Sequence, residues 1–310
     1  MDRIKRIKDC FNVTEEISME NPIYVTHIED IFKHALIQDL GEGDASQIPA
    51  DLYKKQIKAD IIARNHGIVA GLEEIIHILN SYGLKTEKQY KDGDRIDNHE
   101  LLITIYGQIS QILSLERTIL NFLQRLCGIA TQTKEMVNKI AHTNSFVLAT
   151  RKTIWGAWDK KAVQCGDGLS HRLGLYDAAM LKENHLKILK ESNGFQAIQN
   201  SLKKIIQEKQ PRFIEVEVSN IREFRKITEV LLNIDHPTPK VIMFDHFSPI
   251  KIKAAISEAK EKDFYDNLFF EASGNINIDN IKDYAESGVD VISSGELTHS
   301  VKSLDLSMLF

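Results

Sequence analysis

The sequence predicts an α/β protein, an amino-terminal α+β module (an α/β sandwich) followed by an incomplete α/β barrel. Three observations carry this reading. Short apolar runs alternate with amphipathic segments at Phe146–Ala149, Ala178–Leu181, Phe213–Val218, Val241–Phe244, Leu268–Ala272 and Val289–Ile292, the pattern of βα units on a parallel sheet. Each run contains or meets a charged, hydroxyl or glycine residue where it ends, and the carboxyl ends of such strands carry the site in barrels and open sheets alike. This half of the chain has about 165 residues, short of the ~250 of a full eight-fold barrel.

The preceding residues justify the first module. Apolar positions recur at helical spacing over Ile28–Leu40, and the two glycines of Asp39–Asp44, DLGEGD, suit an exit turn. Gln56–Ala63 and Ile68–Ala70 read as strands around a turn at Asn65–Gly67, Leu72–Tyr82 as a helix, and Leu101–Tyr106 as a strand. Ser110 to about His142 is one long helical pattern bridging the modules, with a break expected at Cys127–Gly128. The expected division is 1–125 for the sandwich and 126–296 for the barrel. The apolar tail 297–310 should dock on the first module or on a partner subunit.

Composition narrows the function. The 310 residues are 43% hydrophobic and 27% charged, with a net charge of -5, which gives no general attraction for nucleic acid. No stretch approaches the ~20 apolar residues of a membrane span. The opening MDRIKRIKDC lacks the apolar core of a secretory signal, so a cytoplasmic location is expected. Three cysteines with no CxxC pair argue against a disulfide framework or a structural zinc site.

Against this acidic background, Thr150–Lys190 holds eight Lys or Arg and four Asp or Glu. Arg151, Lys152, His171, Arg172 and Lys182 sit where apolar runs stop, so a small anionic substrate is expected. Forked guanidiniums suit planar carboxylates. Glu217 and Asp245, at neighbouring strand ends, are hard oxygen donors. Alternation points Glu215 and Glu217 to the same face and does not choose between them. The loops Ser273-Gly274-Asn275 and Ser294-Gly295 present backbone N–H groups ahead of helices, a cradle for phosphate.

Eight segments in order carry a resemblance that covers nearly the whole chain: DLGEGD at 39–44, GIVAGL at 67–72, ERTILNFLQRLCGIAT at 116–131, TRKT at 150–153, DKKAV at 159–163, HRLGLYDAAMLKENH at 171–185, IEVEV at 214–218, and EASGNI with GVDVISSGELTHS at 271–300. The chain resembles the quinolinate phosphoribosyltransferases (nicotinate-nucleotide pyrophosphorylases, carboxylating). The resemblance implies a seven-stranded α/β barrel behind an α/β sandwich, in a homodimer or multiple of dimers with shared active sites. It implies transfer of phosphoribosyl from phosphoribosyl pyrophosphate, with Mg²⁺, to the ring nitrogen of quinolinate. Loss of the adjacent carboxylate then leaves nicotinate mononucleotide, pyrophosphate and carbon dioxide.

Carried onto these positions, it implies that Arg117, Arg151, Lys152, His171, Arg172 and Lys182 bind substrate, with Arg117 reaching in from the other subunit. Lys152, Lys182, Glu217 and Asp245 are the catalytic expectations, Glu217 and Asp245 hold the metal, and Ser273, Gly274, Asn275, Ser294 and Gly295 hold phosphate. The choice of Glu217 over Glu215 comes from the resemblance.

Four places depart from the family's pattern. A Pro-Gly-Leu-Arg loop is replaced by the shorter IWGAWDKKAV, a triple glycine by Gly166-Asp167-Gly168, a Leu-Asp-Asn by Phe244-Asp245-His246, and a Ser-Gly-Gly by Ser273-Gly274-Asn275. Trp155 and Trp158 in the shortened loop suit core packing or a wall for the pyridine ring. Two rival readings stand beside the resemblance. One is a related pyrophosphorylase acting on another acidic acceptor, and the other is a barrel aldolase using Lys182 as a Schiff-base lysine.

Overall fold

The structure is a computed structural model that describes residues 2–45 and 50–310. Its contacts group into two units, each discontinuous in sequence. A barrel unit comprises Met1–Val13, Glu135–Lys152 and Leu169–Glu296, and a sandwich unit comprises Thr14–Lys134, Thr153–Gly168 and Leu297–Phe310. The division expected after residue 125 falls inside one helix, α5 (Ile109–Lys139).

In the sandwich unit, helix α2 (Pro22–Leu40) starts where the Asn21 side chain accepts the Ile23 N–H at 3.0 Å, and it stops at Gly41, whose φ of 52° a side chain would resist. Helices α3 (Ala50–Tyr53) and α4 (Leu72–Ser81) flank strands β1 (Gln56–Ala63), β3 (Lys85–Lys88) and β5 (Leu101–Gln108), and β2 (Gly67–Ile68) pairs β4 (Arg95–Ile96). The apolar tail is strand β12 (Leu306–Leu309), completing an antiparallel sheet of order β12-β1-β5-β3.

Helix α5 runs without the break expected at Cys127–Gly128. Gly128 has a different reason to be there. A Cβ at that position would lie 2.4 Å from the Lys302 carbonyl oxygen and 2.9 Å from Ser303 Cα, so the helix needs glycine where the returning chain crosses it. The sandwich unit also holds helix α6 (Ala157–Cys165), and α11 (Glu296–His299) leads into its last segment.

The barrel unit is built on six parallel strands, β6 (Phe146–Leu148), β7 (Ala179–Leu181), β8 (Ile214–Val218), β9 (Lys240–Asp245), β10 (Phe269–Ser273) and β11 (Val291–Ser293), in the order β6-β11-β10-β9-β8-β7. Helices α7 (Glu183–Lys209), α8 (Ile221–Leu232), α9 (Pro249–Glu261) and α10 (Ile281–Ala285) connect them. The expected seventh strand is reduced to one parallel bridge, in which the Leu169 N–H donates to Val147 O at 2.8 Å and the Leu169 carbonyl accepts from Ala149 N at 2.9 Å. The chain then leaves the extended conformation at His171, whose φ is 55°.

Helix α1 (Arg3–Phe11) belongs to the barrel, not to the sandwich. Its Ile7, Cys10 and Phe11, at helical spacing, pack among Leu148, Leu169, Phe213, Val241, Phe269 and Val291, several of them at strand starts. The Arg3 guanidinium fixes it there, donating to both carboxylate oxygens of buried Asp290 at 2.7 Å and lying 3.8 Å from the centroid of the Tyr265 ring. Helix α1 thus closes the amino end of the sheet and leaves the carboxyl ends, where the charged residues lie, for chemistry.

Candidate active site

The carboxyl ends of the six strands gather most of the expected residues within the barrel unit. Arg151 and Lys152 follow β6 and are exposed. Arg172 is only 5% exposed, donating to the Ala178 carbonyl at 3.1 Å and to Met180 Sδ at 3.6 Å. Burial, and then the neighbouring Arg151 charge, lower its pKa from the usual guanidinium value. Two guanidiniums close enough to oppose each other's charge make a site that an anion relieves.

The loop after Arg172 is shaped by Asp177, whose carboxylate accepts the N–H groups of Leu173 at 2.8 Å and Gly174 at 3.0 Å. Leu175 and Tyr176 stand out of that loop into solvent.

Opposite charge lies on the next strands. Lys182 Nζ donates to Glu217 Oε2 at 2.9 Å, and Asp245 ends β9 beside them. Burial, and then the Glu217 charge, raise the Asp245 carboxyl above the usual range, partly offset by His246 and Lys182. The two acids form a like-charge pair of hard oxygen donors at the barrel mouth.

The turn after β10 has Gly274 at φ 102° and Asn275 at φ 53°, so asparagine takes the left-handed position and the turn survives the change from glycine. A Cβ on Gly274 would meet the His246 ring at 2.7 Å, which ties the turn to the His246 substitution. Ser294 Oγ donates to the Ile276 carbonyl at 2.6 Å, and Ser293 Oγ donates to Ser273 Oγ at 3.1 Å. These bonds hold the two glycine-bearing loops side by side, with Gly295 next in the chain.

Below the mouth is a cluster that sequence reasoning did not assemble. Glu215 and Glu271 are fully buried, and His171 is 4% exposed. His171 Nε2 lies 3.2 Å from Glu271 Oε2 and 3.3 Å from Glu215 Oε2, while its Nδ1 accepts the Arg172 N–H at 2.7 Å. Glu215 and Glu217 do share a face, as alternation requires, but one layer apart: Glu215 is in the core and Glu217 is at the rim. Burial, then the Glu271 charge, push the Glu215 carboxyl up to about 7.

Burial opposes a charged imidazole, and the two glutamate charges favour one. The contact at Nδ1 decides against that charged form. A peptide N–H can only donate, so a ring with a hydrogen on both nitrogens would face N–H with N–H. His171 was expected to touch substrate directly, but both its ring nitrogens are engaged inside the protein. The signal in the sequence was an acid in the middle of an apolar run, IEVEV and FFEAS.

Family matches cover both units. The N-terminal domain of quinolinate phosphoribosyl transferase matches residues 34–127 and its C-terminal domain matches residues 129–309. The chain belongs to the quinolinate phosphoribosyltransferase family.

Among relatives, a probable nicotinate-nucleotide pyrophosphorylase (carboxylating) of Methanocaldococcus jannaschii is 37% identical over 287 residues, covering 90% of this chain and 95% of that one. A probable enzyme of the same name from Bacillus subtilis is 33% identical, covering 91% and 92%. The solved nicotinate-nucleotide pyrophosphorylase of Francisella tularensis superposes with a TM-score of 0.79 at 31% identity, over 92% of this chain and 96% of that one.

The remaining expected residues fall in the sandwich unit. Arg117 is exposed on α5. Trp155 and Trp158 stack on Phe122 at 4.1 and 4.6 Å between centroids, and Trp158 is fully buried, so both are packing residues. They anchor the shortened loop. Buried Asp159 accepts the Ile154 and Trp155 N–H groups at 3.0 and 3.3 Å and both Arg125 donors, Nε at 3.1 Å and an Nη at 2.8 Å.

Asp159→Asn keeps an acceptor but removes the charge, and is expected to lower stability by about 1–3 kcal/mol. A shift of the denaturant midpoint reads this, and an unchanged midpoint would show that the loop is held elsewhere.

Burial raises all three cysteine thiols, Cys127 to about 12, so none is a poised nucleophile. Lys182 is half exposed and held by Glu217, unlike the dry pocket a Schiff-base lysine needs.

Proposed function

We propose that the chain transfers the phosphoribosyl group of phosphoribosyl pyrophosphate to the ring nitrogen of quinolinate with loss of carbon dioxide, giving nicotinate mononucleotide and pyrophosphate for NAD biosynthesis. The observation that carries this reading is the gathering of Arg151, Arg172, Lys182, Glu217 and Asp245 around the carboxyl ends of the barrel strands, with Lys182 Nζ on Glu217 Oε2 at 2.9 Å. Arg151, Arg172 and Lys152 bind and orient the two carboxylates of a planar acceptor. Lys182, bonded to Glu217 at 2.9 Å, is assigned in this reading to the acceptor or the sugar. Glu217 and Asp245 present negative charge to the ribose ring as it turns cationic. The Ser273–Asn275 and Ser294–Gly295 loops are assigned to the phosphate in this reading, with the Ser294 N–H itself spent on the Leu148 carbonyl at 3.2 Å.

Mg²⁺ fits this donor set, since two hard carboxylates that repel one another are relieved by a hard cation. Glu217 and Asp245 would hold it, and when bound it neutralises pyrophosphate charge. A homodimer, or a multiple of dimers, follows from the same reading, with Arg117 of the partner subunit completing the cationic side. We place the protein in the cytoplasm; among the described residues no helix is long and apolar enough to cross a membrane.

The test mixes the protein with Mg²⁺, phosphoribosyl pyrophosphate and quinolinate and looks for nicotinate mononucleotide, with nicotinate as the control acceptor. Product from quinolinate alone is expected. Turnover of nicotinate but not quinolinate would sink the proposal and favour a pyrophosphorylase with another acidic acceptor.

A further inference from the structure

We infer that Glu271 is a positioning residue for Arg172, acting through the His171 ring. The inference rests on the proposed role of Arg172 as a ligand of the substrate carboxylates. The chain of contacts is short and buried. Glu271 Oε2 faces His171 Nε2 at 3.2 Å, and His171 Nδ1 accepts the Arg172 N–H at 2.7 Å. Because Nδ1 must offer a lone pair to that N–H, the ring is neutral with its hydrogen on Nε2, and Nε2–H donates to Glu271.

The ring cannot turn to another partner. Phe11 packs against it with centroids 5.6 Å apart, and Phe213 meets it edge-on at 5.3 Å and 88°. Glu215 lies 3.3 Å from Nε2 without the alignment of a hydrogen bond.

The device has a reason to exist. His171 has φ 55°, a left-handed conformation that a non-glycine residue resists. The bond from the ring to the next N–H holds that bend. The bend directs Arg172, whose guanidinium then reaches Ala178 O and Met180 Sδ. Without Glu271, the ring loses the acceptor that fixes its tautomer, and the backbone of Arg172 loses its anchor.

A competing use of the same residues is a metal site, since one ligand atom from each of His171, Glu215 and Glu271 lies within 4.8 Å of the others. The tautomer speaks against it. A metal on Nε2 needs that lone pair and moves the ring hydrogen to Nδ1, directly against the Arg172 N–H.

Three variants and one spectrum test the inference. Glu271→Leu removes the acceptor, Glu271→Gln restores one, and His171→Phe keeps a ring between Phe11 and Phe213 while deleting both bonds. For Glu271→Leu and His171→Phe, an about tenfold weaker quinolinate affinity by calorimetry is expected, the worth of one buried hydrogen bond. The KM for phosphoribosyl pyrophosphate should not move, and Glu271→Gln should recover wild-type affinity.

Nitrogen-15 spectra of histidine-labelled protein at pH 7 should show His171 with one protonated and one bare ring nitrogen. A doubly protonated ring, or folded Glu271→Leu and His171→Phe proteins with wild-type affinity, would overturn the inference. If the wild-type protein does not bind quinolinate, the proposed function fails while the spectrum still judges the Glu271–His171 contact.

Discussion

Arg172→Ala is expected to abolish measurable quinolinate binding while leaving the protein folded. The side chain is 5% exposed, and its contacts include the Ala178 carbonyl and the Met180 thioether. Its value lies in charge held where water is scarce, next to Arg151. Removing one partner of a buried charge-assisted contact costs about 2–5 kcal/mol, roughly thirtyfold to several thousandfold in affinity. Lysine is no substitute, because a single ammonium cannot meet a planar carboxylate with two parallel donors. Calorimetry measures the affinity, and thermal melting checks the fold. Unchanged affinity in Arg172→Ala would remove Arg172 from the substrate's contacts.

Phe11→Ala is expected to show the largest loss of stability, about 3–5 kcal/mol, since the whole ring is buried and the site cannot collapse around a helix pinned by Arg3. The ring touches Phe213 at 5.0 Å and Phe269 at 6.5 Å between centroids as well as His171. A fall in the denaturant midpoint checks it. A loss under 1 kcal/mol would mean that α1 is dispensable to the barrel.

Much of the barrel was legible because most of its strands are buried on both faces, so they read as largely apolar runs, interrupted by Glu215 and Glu217 in β8 and by Glu271 in β10. Val241–Phe244 in the sequence is Lys240–Asp245 in the structure, and Phe213–Val218 is Ile214–Val218. Asp245 and Ser273 end their strands and Lys182 directly follows its strand, the places where a run of this kind stops.

What was not legible depends on contacts between distant residues. Helix α1 carries its own apolar stripe and an Asp2 cap, but nothing local says that the stripe faces Phe213 and Phe269. Gly128 reads as a helix breaker until the chain near Lys302 is found lying across it. Depth is equally hidden: Glu215 and Glu217 have the same parity, and only the height of each along β8 separates a core acid from a rim acid. The direction of the His171 ring is hidden for the same reason, since a sequence motif does not tell which way the ring of a left-handed residue turns.

The interleaving of the two units bears on how the chain is made. Helix α1 is made long before Val291, which the sheet that receives it needs. Strand β12 is made long after β1, its partner, which has a free edge until then. Neither unit can therefore close until Val291 and Leu306 have been made. Over that interval a growing chain carries both an apolar helix face and an open sheet edge, the condition in which newly made proteins depend most on chaperones.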